Sequence, residues 1–166
     1  MPVPTADYTA GMRRLAGGVT IVTSRLGEAR AGLTATSVCS LTAEPPRLLA
    51  CIHRDADAHG LIVLSRRFAV NVLTPEQLGL SEHFGGRDDS HGPARFAVGP
   101  WQVGRTGMPV LADAAAVFEC RLVEVATAST HTIFIGEVEA AAYRENAPAL
   151  VYHDREYHRL HRLDGP

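Results

Sequence analysis

The chain has no lysine: all sixteen of its basic residues are arginine. A pyridoxal Schiff base and a Walker-type phosphate loop both need a lysine amine, so both chemistries are excluded without reference to any fold. No Gly-x-Gly-x-x-Gly turn occurs, which removes the Rossmann route to a dinucleotide. A Gly-x-Ser-x-Gly turn is absent as well, so a hydrolase of the nucleophile-elbow type is excluded. Cysteine is sparse. Cys39, Cys51 and Cys120 are odd in number, widely spaced and set in apolar stretches, and they read as buried free thiols rather than a disulfide frame.

Long apolar runs are missing too. No window approaches the roughly 18 residues of a membrane span, and Met1 to Thr9 has no basic segment leading into an apolar one. A cytoplasmic protein with no membrane partner is expected. A net charge of -2 with 20% charged residues supplies no basic face for nucleic acid, so the expected partner is a small molecule or another protein. Histidine is plentiful, at eight residues. His153, His158 and His161 nevertheless lack the i, i+4 pair beside a glutamate, and no cysteine pair accompanies them, so no metal site is expected.

A length of 166 residues suits one domain over 1–166, with enough chain to bury a core. Asp7 to Leu15 reads as a short helix stopped by Gly17-Gly18, and Val19 to Ser24 has strand composition. Leu26-Gly27-Glu28 is a turn. Ala29 to Thr42 reads as a strand followed by a hydroxyl-rich loop; after Pro45-Pro46, Arg47 to Ile52 is the next strand. Ala58 to Arg67 suits a helix and Phe68 to Leu73 a strand. Thr74-Pro75-Glu76-Gln77 combines a capping threonine, a first-turn proline and a third-position glutamine, predicting a helix to about Phe84. Gly85 to Gly92 is a polar, glycine-rich loop. Val117 to Ala126 alternates until Val123, where the pattern breaks as at a bulge or in a strand covered on both faces. Thr132 to Tyr143 and Ala149 to Tyr152 complete the set. About seven strands, two or three short helices and no strand–helix alternation predict a mainly β protein, a closed or nearly closed antiparallel barrel.

Six segments carry a family resemblance: GVTIVT at Gly18 to Thr23, GLTATSVCSLTAEPP at Gly32 to Pro46, CIHR at Cys51 to Arg54, FAVNVL at Phe68 to Leu73, HTIFIGEV at His131 to Val138, and LVYHDREYHRL at Leu150 to Leu160. In this order, from Tyr8 to Leu163, the chain resembles the short-chain flavin reductases of the FMN-binding split-barrel type, which serve two-component monooxygenases. The resemblance implies a six-stranded antiparallel Greek-key split barrel in a homodimer, with flavin near the subunit interface. It further implies hydride transfer from NADH or NADPH to FAD or FMN, and a flavin-dependent monooxygenase that receives the reduced flavin. Two other readings stay open. One is another split-barrel flavoenzyme, such as a pyridoxamine-phosphate oxidase-like enzyme or a reductase of some other acceptor; the other is a non-enzymatic flavin carrier or sensor.

The candidate site residues follow from these segments. Thr34, Ala35, Thr36, Ser37 and Val38 combine small side chains with amides and hydroxyls, as the edge of a flat flavin ring requires, although a threonine-rich edge strand would look the same. Cys51, His53 and Arg54 precede the helix expected from Ala58, where an arginine and a helix N-terminus suit a phosphate. The family commonly has serine or threonine around Asp55 to Asp57, whereas this chain has two carboxylates. Asp57 either caps the helix or faces the phosphate and weakens flavin affinity. Phe84, Gly85 and Arg87 either close over the ligand or form an ordinary surface loop. His131 takes the position of the family's histidine on the nicotinamide side of the flavin, but Thr130 replaces the aspartate that usually precedes it.

Overall fold

The computed structural model describes residues 2–86 and 90–163. Helix α1 (Thr5–Met12) lies outside the core with no buried residue. After the two-residue strand β1 (Gly17–Gly18), strand β2 (Thr20–Leu26) is buried at every position from Thr20 to Ser24, as in a strand covered on both faces. The Gly27-Glu28 turn leads into β3 (Ala29–Ala35). The expected hydroxyl-rich loop is instead largely a strand, β4 (Val38–Ala43), with only Thr36 and Ser37 between it and β3. Strand β5 (Pro46–His53) alternates buried and less buried positions.

Helix α2 (Asp57–Ser65) buries Ala58 and Ile62, an i, i+4 pair, and ends earlier than expected because Arg66 adopts φ 58°. Strand β6 (Arg67–Val72) follows. The capping box at Thr74 is present: the Gln77 side-chain oxygen accepts from the Thr74 N–H at 2.9 Å, opening a 3₁₀ turn that runs into α3 (Leu78–Phe84). Beyond a 3₁₀ segment at Gly92–Ala97 come the short strands β7 (Trp101–Val103) and β8 (Pro109–Leu111). The long strands β9 (Ala116–Ala128) and β10 (His131–Tyr143) pair with a register shift where Ile135 faces Glu124 and Gly136 faces Leu122. Val123 is therefore the extra residue of a bulge, at the position where the alternation breaks. The C-terminal hairpin is β11 (Leu150–His153) and β12 (Glu156–Arg159), of which the second was not evident in the sequence.

The main sheet is antiparallel, in the order β3-β2-β6-β9-β10-β5-β4. Its two edge strands, β3 and β4, are consecutive in the chain and separated by two residues, so the sheet must curl until its edges nearly meet. Counting the bent β3–β4 segment once leaves the six strands of the expected barrel. Val22, Leu48, Ile52, Phe68, Leu122 and Phe134 fill its interior, with Ile62 of α2 packed among them. A second cluster of Ile21, Leu73, Phe84, Phe96 and Leu111 covers the outer face of β2. A Cβ on Gly136 would lie 2.6 Å from Phe68 Cζ and 2.7 Å from Cys120 Cβ, so only glycine leaves room for the Phe68 ring against β10. Among the described residues no helix is long and apolar enough to cross a membrane. The cysteines correct one expectation: only Cys120 is buried, while Cys51 is half-buried and Cys39 exposed on β4, because β4 has no covering layer.

Candidate functional site

Three adjoining hollows run along the seam where β3 gives way to β4. The widest, about 620 Å³, is lined by Thr36, Ser37, Val38 and Cys51. A second of about 280 Å³ shares Thr36 and Tyr152 with it and adds Thr34, Ala35 and Gly85. The third, also about 280 Å³, shares Thr34 and Gly85 with the second and ends at Asp57 and Phe84. Together they form one trough, within the size range of small-molecule sites.

The backbone of this seam is fixed from both sides. Thr20 Oγ1 donates to the Ala35 carbonyl at 2.7 Å, and the Cys51 N–H donates to the Ser37 carbonyl at 2.9 Å. Thr34 Oγ1 donates to the Ser81 carbonyl at 2.7 Å and ties β3 to α3. The Thr36 and Ser37 side chains are exposed and make no hydrogen bond among the described residues. Rigid backbone, small side chains and free hydroxyls fit the edge of a flavin ring.

His53, Arg54 and His131 stand apart from the trough, at the end of the β5–β10 ladder, where His53 and His131 are direct partners. The Arg54 N–H donates to the Thr130 carbonyl at 2.9 Å, closing this end. Thr130 Oγ1 and His131 Nδ1 are 2.9 Å apart, so a hydroxyl takes the place of the missing carboxylate. Nearby, His59 Nε2 lies 2.8 Å from Thr132 Oγ1, and burial, followed by the Arg54 charge, holds the His59 pKa below its usual value.

Two expectations need correction. Asp57 does not cap α2: the N-cap is Ala56, without a side-chain bond, and Asp57 is the first helical residue. Its carboxylate accepts from the Gly92 N–H at 3.2 Å and lies 3.8 Å from His91 Nδ1, tethering the segment after α3. Phe84 cannot close over a ligand with its ring, which is 1% exposed and packs against Phe96 and Trp101 at centroid distances of 5.3 and 5.2 Å. Arg87 lies outside the described residues.

Sequence reading missed Arg95, Tyr152 and Tyr157. Arg95 is buried beside the third hollow and donates to the carbonyls of Gly32, Phe84 and Ser90, so it holds β3, the end of α3 and the following segment together. Tyr152 and Tyr157, with ring centroids 5.1 Å apart, wall the middle hollow, and Tyr157 Oη is 3.0 Å from Ser81 Oγ. Their alternation about Asp154-Arg155 was the available signal, but the turn has no glycine to reveal the hairpin. A separate hollow of about 290 Å³ is lined in part by Glu119, whose carboxylate accepts from the Arg105 and Thr106 N–H groups and from Thr106 Oγ1. With those bonds Glu119 is a clamp on the turn after β7.

The comparisons with known proteins agree with this geometry. The family model of the flavin reductase like domain matches residues 12–161. The FMN reductase (NADH) RutF of Stutzerimonas stutzeri is 43% identical over 159 residues, covering 96% of this chain and 90% of the relative. The 4-hydroxyphenylacetate 3-monooxygenase reductase component of Pseudomonas aeruginosa is 37% identical, over 92% of this chain and 90% of its own. Among solved structures, BorF, the flavin reductase component of a bacterial two-component tryptophan halogenase, superposes with a TM-score of 0.87 at 31% identity, covering 95% of this chain and 98% of that one. A match across nearly the whole chain, with the barrel to go with it, places this protein in the flavin reductase-like family.

Proposed function

We propose that the protein is an NADH-dependent flavin reductase that supplies reduced flavin to a partner oxygenase. The observation that carries this reading is the trough along Thr34–Val38, in a chain aligned over almost its full length with FMN reductases. The chemistry would belong to the two ligands: bound together, they would supply hydride transfer from the dihydronicotinamide to the flavin. The protein's part is placement. Thr36, Ser37 and the fixed amides of the seam would hold the polar edge of the flavin, and His131, at the end of the β5–β10 ladder beyond the trough, is given the nicotinamide carboxamide by the family resemblance. No acid–base pair is required for the transfer.

The reading includes a cytoplasmic homodimer. Strand β4 is exposed along nearly its whole length, α1 buries nothing, and Tyr8, Met12, Leu15 and Leu41 add exposed apolar surface around them. A second subunit on this face would cover the apolar surface and complete the wall of the widest hollow. Aerobic consumption of NADH with and without added FMN tests the activity. Rapid FMN-dependent oxidation is expected; its absence would favour a flavin carrier, and dependence on another acceptor would favour a different split-barrel reductase. Light scattering at micromolar concentration tests the assembly, and a monomer would count against the site as well.

A further inference from the structure

The widest hollow carries two arginines whose side chains have no partner among the described residues. Arg13 directly follows α1, and its Nε is buried with no hydrogen bond. Arg155 sits in the turn between β11 and β12 with φ 70°, after Asp154 with φ 49°. Such two-residue turns favour Asp-Gly or Asn-Gly, so an arginine at the second position holds backbone strain that glycine would not. Asp154 fixes the arrangement: its carboxylate takes Arg14 Nη1 at 2.8 Å and its N–H donates to the Arg13 carbonyl at 3.0 Å. Arg14 is thereby neutralised. Arg13 and Arg155 have neither an ion pair nor a side-chain hydrogen bond among the described residues, and both line the hollow beside Thr36 and Ser37. The opposite end of the trough carries Asp55 and Asp57 together with His91 and the buried Arg95, whose guanidinium is taken up by backbone carbonyls. Within the trough, the guanidinium groups without a hydrogen-bond partner among the described residues are thus at the hairpin end.

We propose that Arg13 and Arg155 bind the phosphate of a nucleotide ligand, either the 5′-phosphate of FMN or the pyrophosphate of NADH. This rests on the flavin reductase reading for the identity of the ligand. A buried guanidinium N–H without an acceptor is costly, and a phosphate ester supplies several charged acceptors at once. The sequence expectation put the phosphate near Arg54, which stands outside the trough, whereas Arg13 and Arg155 line it beside Thr36 and Ser37.

Two variants test the site: Arg155→Gly, which also relieves the strained turn and so preserves the fold, and Arg13→Gln. Two ratios are measured in each. The first is the affinity for FMN over riboflavin, by flavin fluorescence. The second is kcat/KM for NADH over dihydronicotinamide riboside, which has no phosphate. A fall of tenfold or more in one ratio, in both variants, is expected, and the ratio that falls names the ligand. Stabilisation of the parent by inorganic pyrophosphate, lost in both variants, reads the site without either nucleotide. Ratios within twofold of the parent, with the pyrophosphate effect intact, would overturn the proposal. Equal weakening of FMN and riboflavin with loss of assembly would also overturn it, by making the arginines interface residues. A parent that oxidises no NADH with added flavin would refute the reductase reading, while the pyrophosphate measurement would still decide the phosphate site.

Discussion

The imidazoles of His53 and His131 meet edge to face, with ring centroids 4.9 Å apart and planes at 82°. Their backbones are direct partners in the β5–β10 ladder, so the contact is set by register. The Asp55 N–H donates to His53 Nδ1 at 3.2 Å and holds the ring on the turn that follows β5. His131 is steadied by His53 on one side and by Thr130 Oγ1 on the other.

His131→Ala is expected to raise the KM for NADH about fivefold, the cost of one net hydrogen bond of roughly 1 kcal/mol, with flavin affinity nearly constant. Steady-state kinetics with NADH varied, beside a flavin titration, make the comparison. Unchanged kinetics would return His131 to a structural role, and a loss confined to flavin affinity would put it on the other face of the ring. His53→Ala should show the same pattern more weakly, because it acts only by holding His131.

Gly136→Ala should destabilise the barrel by about 2 kcal/mol, since the added methyl meets Phe68 and Cys120 at distances real Cβ atoms do not tolerate. In thermal unfolding this is a fall of roughly 4–8 °C for a domain of this size. Gly11→Ala is the control: nothing lies within 4 Å of its added Cβ, and α1 should gain about 0.5–1 kcal/mol from the better helix former. Equal midpoints for the two variants would mean that the packing at Gly136 relaxes freely.

Five charged residues form a ladder across the outer face of the sheet: Arg47, Glu137, Arg121, Glu139 and Arg67, on β5, β10, β9, β10 and β6. The hydrogen bond from Arg47, helped by Arg121, holds the Glu137 carboxyl below its ordinary pKa. A depressed carboxyl pKa stabilises the fold above the ordinary value of 4.5, and that contribution is lost as pH falls through the folded-state value. Glu137→Gln should therefore melt below the parent at neutral pH, with the gap closing below about pH 4.5 and shrinking in high salt. A gap independent of pH would mean that shape rather than charge matters at Glu137.

The barrel was legible because its strands announce themselves locally: GVTIVT and FAVNVL carry β-branched residues, RLLACI is a short apolar run after Pro45-Pro46, and the break at Val123 locates a real bulge. The seam at Thr34–Val38 was legible as chemistry, in its hydroxyls and small side chains, but not as shape. Nothing local in Thr36-Ser37 says that the strands on either side are opposite edges of one sheet. Asp57 was misread because one residue of helix phase separates a cap from the first turn, and pattern reading does not resolve one residue. Phe84 was misread because its burial depends on Phe96 and Trp101, both distant in sequence. Arg13 and Arg155 lie far apart in the chain and meet only when Asp154 docks on the end of α1, a tertiary contact without a sequence signal.

The three thiols should separate by reactivity. Cys39 is exposed, Cys51 is half-buried in the trough and Cys120 is buried under Gly136. With a thiol-exchange reagent at pH 8, Cys39 is expected to react fast only where the dimer dissociates and uncovers β4, Cys51 slowly, and Cys120 only on unfolding. Burial, with the Glu119 and Glu139 charges, pushes the Cys120 thiol up to about 12 from an ordinary 9.0. Above pH 9 the unfolded chain loses this proton while the folded chain keeps it, so the unfolded state binds fewer protons and stability falls as pH rises between about 9 and 12. At pH 10 this one group should cost about 1.4 kcal/mol, one pH unit of differential ionisation. Cys120→Ala removes the group: it should be less stable than the parent at pH 7 because of the space it leaves, yet its thermal midpoint should fall less steeply from pH 8 to 10. Parallel slopes for parent and variant would assign the alkaline loss to other groups, and modification of all three thiols at one rate would show that the barrel opens around Cys120 on the timescale of the reaction.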